Sequence, residues 1–124
     1  MPNQNGVPVV PEIDPLSAWE RVKSQDAMIL DVREAEELDE LAVPGVTHIP
    51  LGSLQAVAGN LPGDRDLLVI CRSGVRSAFA TQFLLASGFQ RTLNISGGVI
   101  AWAQAELPHV LNGEAVNSEV ADSV

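Results

Sequence analysis

One cysteine, Cys71, stands among 124 residues, so no disulfide can form within the chain and the expected compartment is the reducing cytoplasm. Basic residues are scarce: seven Lys and Arg face sixteen Asp and Glu, for a formal net charge of −9. A field of that sign repels polyanions, which argues against nonspecific binding to nucleic acid or to an anionic membrane. A local positive pocket remains compatible with it. No run of about eighteen apolar residues occurs, so no transmembrane helix is expected. The opening Met1–Gly6 has neither a basic n-region nor a long apolar h-region, and no signal peptide is expected there. Internal repeats, long linkers and any second domain are also lacking. One domain fits, long enough for a sizeable core, and a hydrophobic fraction of 46% with 19% charged residues places it among soluble globular proteins.

What is present is organised around Asp66–Ser77. Leu67, Leu68, Val69 and Ile70 form an unbroken apolar run, the pattern of a strand buried on both faces. From Ser77 to Ser87 the apolar residues Phe79, Phe83 and Leu84 are spaced for an amphipathic helix. Between them lies the turn Cys71-Arg72-Ser73-Gly74-Val75-Arg76. A thiol at the end of a strand that leads into a helix sits where backbone N–H groups converge and the helix dipole is positive. Arg72 and Arg76 add charge, and Gly74 lets the backbone curl around an anion. These features favour the thiolate, the nucleophilic form of cysteine. The competing reading is an inert core cysteine.

Along the chain, residues 1–6 are polar and expected to be flexible, and residues 7–110 form the domain. Val7–Ile13, interrupted by Pro8 and Pro11, suits an edge strand or extended segment. Asp14 followed by Pro15 marks a helix start, with Leu16, Trp19 and Val22 as its apolar stripe to about Ser24. Met28–Arg33 is a second strong strand, with charge at its carboxyl end. The acid-rich Glu34–Leu41 reads as a short helix with a solvated face. Val46–Pro50 is a short strand, Leu51–Leu61 a short helix, and Pro62-Gly63 a turn. Gly88 closes the helix after the central loop. Arg91–Ile95 is a strand, Ser96-Gly97-Gly98 a tight turn, and Val99–Leu107 the last helix. The paired glycines lack the Lys-Ser/Thr of a phosphate-binding loop, so a structural role is preferred. His48 and His109 have no acid–base constellation around them. Residues 111–124 are polar and acidic with little periodicity, and are expected to form a mobile tail. Alternation of strands and helices predicts an α/β fold, a mostly parallel sheet with helices on both faces. Such sheets bind ligands beyond the carboxyl ends of their strands, where Asp31–Arg33, Cys71–Arg76 and Ser96–Gly98 all fall.

Three segments in this order, Asp-Val-Arg-Glu from Asp31, Val-Ile-Cys-Arg-Ser-Gly-Val-Arg-Ser ending at Ser77, and Asn-Ile-Ser-Gly-Gly-Val-Ile-Ala-Trp from Asn94, resemble single-domain rhodaneses. The resemblance runs from about Ile13 to Leu107. Leu41–Val46 matches the family's Gly-His-Ile-x-Gly-Ala-like segment only in part, with Ala42 where the histidine often lies. The resemblance implies a rhodanese-like domain and a sulfurtransferase. Cys71 would carry a persulfide taken from a small anionic sulfur donor and passed to cyanide or an external thiol, including that of a partner protein. Arg72, Ser73, Gly74, Val75 and Arg76 would bind the donor, with Asp31 and Arg33 behind the loop or forming a plain structural ion pair. No cofactor and no metal are implied. A sulfur-carrier or regulatory docking module is the alternative of a different class. The two arginines favour thiosulfate or a protein persulfide over mercaptopyruvate. Cys-dependent phosphatases place one more residue between cysteine and arginine than the four of Arg72–Val75, so the ring here suits one sulfur atom better than a phosphate.

Overall fold

The apolar run before Cys71 is a strand, and both of its faces are covered. A computed structural model describes residues 6–24 and 26–117. In chain order its first half comprises β1 (Glu12–Ile13), α1 (Pro15–Lys23), β2 (Ala27–Asp31), α2 (Ala35–Glu40), β3 (Leu41–Ala42), β4 (Thr47–His48) and α3 (Leu54–Val57). Its second half comprises β5 (Asp66–Ile70), α4 (Val75–Ala86), β6 (Thr92–Ile95), α5 (Gly98–Gln104), β7 (His109–Leu111) and β8 (Glu114–Val116). The strand order β1-β6-β5-β2-β4 makes a sheet in which every neighbouring pair is parallel.

Period-two alternation divides β5 between two cores. Leu67, Val69 and Cys71 join Leu30, Val32, Leu54, Ala80 and Leu84 on one face. Leu68 and Ile70 join Ile13, Ile29, Ile95, Val99 and Trp102 on the other. Helices therefore flank both faces, α3 and α4 on the first and α1 and α5 on the second. Across the α1–α5 contact, Trp19 and Trp102 meet edge to face with ring centroids 6.1 Å apart. The buried Trp102 indole donates to the Pro108 carbonyl at 2.8 Å, so its polar atom is satisfied.

Several expectations need adjustment. Asp14 caps α1 through Ser17 N–H at 3.1 Å with Pro15 at the first helical position, as expected. The closest packing, however, comes from the fully buried Ala18, while Leu16 is 55% exposed. Similarly, α4 lays its small residues Ser77, Ala78, Ala80 and Thr81 against the sheet and leaves Phe79 44% exposed. Small side chains let the helix approach closely; of its larger residues Leu84 is buried and Phe83 packs against the same core, while Phe79 is displaced to the rim. The helix expected over 51–61 is broken into a 3-10 turn at Leu51–Ser53, α3, and a second 3-10 turn at Ala58–Asn60.

The expected mobile tail from Leu111 requires correction over its described part. Residues 109–116 form a β7–β8 hairpin, and β7 pairs antiparallel with β3. Asn112 and Gly113 both have left-handed backbones, φ 49° and 86°, which is what a two-residue hairpin loop requires. Residues 118–124 lie outside the described residues, as do 1–5 of the expected flexible N-terminus. Among the described residues no helix is long and apolar enough to cross a membrane.

Candidate active site

Around the loop between β5 and α4, one backbone N–H and one hydroxyl are aimed at a single sulfur atom. Gly74 adopts φ 104°, a left-handed conformation that costs a side chain dearly and glycine little. Its N–H thereby points back at Cys71 Sγ, 3.1 Å away. One step further on, the buried Ser77 in the first turn of α4 donates its hydroxyl to the same sulfur at 3.2 Å. The amino end of α4 adds its positive dipole end. Cys71 itself is buried, at the floor of the loop.

The carbonyls on the other side of this loop are taken up from below. Asn94 in β6 donates its side-chain amide to Gly74 O at 3.0 Å. The N–H groups of Val99 and Ile100 in α5 donate to the carbonyls of Cys71 and Arg72 at 2.8 and 3.3 Å. Such close approach needs Gly98: a Cβ there would stand 2.4 Å from the carbonyl oxygens of both Cys71 and Arg72. The Ser96-Gly97-Gly98 turn is thus a seat for the cysteine loop, in keeping with the structural role preferred from sequence.

The two loop arginines differ. Arg76 forms a two-pronged pair with Glu37 of α2, Nη1 to Oε2 at 2.7 Å and Nη2 to Oε1 at 2.8 Å. Glu37 Oε2 also accepts the Glu34 N–H at 2.9 Å. The Arg76 hydrogen bonds, opposed by partial burial and aided by the Glu34 N–H, hold the Glu37 carboxyl down at about 2. The same Glu37 bonds raise the Arg76 guanidinium, with smaller contributions from Cys71 and Asp31. Arg72, by contrast, is 57% exposed, with its nearest carboxylate contact at 3.8 Å to Glu40. Ser73 on the loop and Val75 at the start of α4 are exposed.

Asp31 and Arg33 form a fully buried ion pair, Arg33 Nη2 to Asp31 Oδ2 at 2.8 Å and Nε to Oδ1 at 3.1 Å. The Arg33 N–H also donates to Oδ1 at 3.0 Å. Arg33 Nη1 reaches the Glu37 carbonyl at 3.4 Å. The pair thus bears on the backbone of α2, and through Glu37 on Arg76. His48 Nε2–H donates to the Arg33 carbonyl at 2.7 Å, and His109 Nδ1–H to Leu107 O at 2.7 Å. Each imidazole thus has a backbone carbonyl as its partner. Among the described residues no group of three or more His, Cys, Asp or Glu side chains is placed to hold a metal ion.

Sequence reading passed over three participants: Ser77, Asn94 and Glu37. A hydroxyl one helical turn past Gly74 was a signal for the first, and an asparagine inside a strand, where it is disfavoured, a signal for the second. Glu37 lay concealed in an acid run, 39 positions from its partner.

Comparison with known proteins gives a consistent picture. The family model described as "Rhodanese-like domain" matches residues 14–105. A protein of Allochromatium vinosum named "Sulfurtransferase" is 36% identical over 103 residues, covering 82% of this chain and 96% of its own. A thiosulfate sulfurtransferase of Glaesserella parasuis is 31% identical over 97 residues, 78% of this chain and 90% of its own. Among solved structures, a rhodanese-related protein of Thermoplasma volcanium superposes with a TM-score of 0.75 at 31% identity, covering 82% of this chain and 99% of that one.

Proposed function

This chain belongs to the rhodanese-like domain family, and from that premise we propose that it is a sulfurtransferase carrying sulfane sulfur on Cys71. The observation that carries the reading is the pair of donors on one sulfur, Gly74 N–H at 3.1 Å and Ser77 Oγ at 3.2 Å, at the positive end of α4. The Cys71 thiolate attacks the outer sulfur of an anionic donor such as thiosulfate. The new S–S bond forms as the old one breaks, sulfite leaves with the electron pair, and Cys71–S–S⁻ remains. An acceptor nucleophile, cyanide or a thiolate, then attacks the outer sulfur and Cys71 departs as thiolate. On the protein side the charge moves from one sulfur to the next without proton transfer, so the Gly74 amide, the Ser77 hydroxyl and a helix dipole suffice and no general base is required. With a single cysteine in the chain, no internal thiol can discharge the persulfide, and the acceptor comes from outside.

Mass spectrometry of protein incubated with thiosulfate tests this directly. One added sulfur is expected, removable by cyanide and missing from Cys71→Ser. A serine variant that retains thiosulfate:cyanide activity would overturn the covalent mechanism.

A further inference from the structure

Resting on the sulfur-transfer reading, the geometry points to Glu37 as a residue that decides which donors the loop accepts. We propose that Glu37, by occupying both terminal nitrogens of Arg76, biases the site away from small dianions such as thiosulfate and toward sulfur borne on a thiol as a persulfide.

An arginine free to use its planar fork would match the sulfonate oxygens of thiosulfate in two-pronged fashion. In this chain that fork is filled by a carboxylate, at 2.7 and 2.8 Å. Displacing the carboxylate is costly, because Glu37 Oε2 is also held by the Glu34 N–H at 2.9 Å. Its backbone is held too, since Arg33 reaches the Glu37 carbonyl from the buried pair with Asp31. The Glu37–Arg76 unit therefore presents close to zero net charge to an incoming donor. The loop's other cation, the exposed Arg72, has its own charge offset in part by Glu40 at 3.8 Å. A persulfide on a thiol brings one negative charge to the reacting sulfur, whereas thiosulfate brings two. The weaker field penalises the second more.

The single cysteine makes the test clean. Second-order rates of Cys71 alkylation are measured with anionic iodoacetate and with neutral iodoacetamide, and their ratio is compared across variants. Changes in loop position or thiol reactivity affect both reagents and cancel in the ratio; a change in local charge does not. At low ionic strength Glu37→Gln should raise the ratio about threefold, the size expected of one charge several ångströms away in a wet environment. Arg76→Gln should lower it by a similar factor. The double variant should return to the parent value, and all should converge at high salt. In transfer assays, kcat/KM for thiosulfate relative to a cysteine persulfide should rise in Glu37→Gln.

An unchanged ratio in Glu37→Gln, or equal falls with both reagents, would overturn the proposal and leave Glu37 a structural clamp. Should the glutamine variant fold poorly, Arg76→Gln reads the same charge with the opposite sign. The two readings fail separately. If the ratios move as expected but no donor loads sulfur onto Cys71, charge selection stands and sulfur transfer falls. If sulfur loads but the ratios stay fixed, sulfur transfer stands and charge selection falls.

Discussion

Removing Arg33 should be among the most damaging single changes to this fold. Its side chain is 2% exposed and that of its partner Asp31 is fully buried. Arg33→Met removes three of the four close contacts to the Asp31 carboxylate, those from Nε and Nη2, and leaves only the Arg33 N–H at 3.0 Å. A buried charge stripped of its counter-ion costs about 3–5 kcal/mol, a large share of the roughly 5–15 kcal/mol that stabilises a domain. For a chain of this size about 4 °C of Tm accompanies each kcal/mol, which gives a fall of about 12–20 °C. The double variant Asp31→Leu, Arg33→Met strands neither charge, and should recover most of the loss. Urea unfolding of the parent, both single variants and the double variant measures the cycle directly. If Arg33→Met and the double variant lie within about 1 kcal/mol of each other, the stranded-charge reasoning is wrong.

Gly98→Ala should lose at least about 3 kcal/mol, because its Cβ would lie 2.4 Å from two backbone carbonyl oxygens at a φ of 62°. Sulfur loading should fall with stability, read by mass spectrometry and by denaturation. Glu37, lowered to about 2 from an ordinary 4.5, contributes stability that is complete above pH 4.5 and lost as pH falls toward 2. Solvent screening at this half-buried pair limits the contribution to about 1–2 kcal/mol, so Glu37→Gln should show a correspondingly shallower loss of stability over that window. Truncation after Val110 should lower the urea midpoint by the equivalent of about 1–3 kcal/mol. It removes β8, the Leu41–Leu111 pairing and the bond from Asn112 N–H to Glu40 O at 2.8 Å; an unchanged midpoint would make the hairpin an ornament.

Much of the sheet was readable because a strand buried on both faces needs an apolar run, and Leu67–Ile70 supplies one. The loop was readable because a cysteine, a glycine and two arginines in six residues have few structural uses together. Long-range pairings left no such trace. Glu37 looks like any other acid in its run, and only the approach of α2 to the start of α4 gives it a distinct task. Ser73 drew notice over Ser77 because proximity in sequence to Cys71 favoured it. Once α4 begins at Val75, Ser77 turns inward onto the sulfur and Ser73 faces outward. The hairpin was concealed by composition: polar, acidic residues suggested a tail, although Asn112-Gly113 carries the dipeptide that two-residue hairpins use. Phe79 misled because hydrophobicity was weighed above size. The sheet needed closely packed small residues, and Ala80 met that need.

The position of β1 has a consequence for how the chain comes to be made. Its ladder pairs Glu12 with Asn94 and Ile13 with Ile95, so the partner is synthesised 82 residues later (94 − 12). At about 5–20 residues per second, β1 waits roughly 4–16 s for β6 while the rest of the sheet is still being assembled. During that interval, and afterwards as an edge strand, it offers backbone hydrogen bonds to any neighbouring chain. Pro8 and Pro11 lie just upstream and have no N–H to give, while Pro11 still accepts from Asn94 N–H at 2.9 Å in the finished fold. The prolines thus permit native pairing and withhold donors from a foreign strand. Replacing Pro11 with a β-branched residue would restore a donor there and make the nascent chain a better template for aggregation.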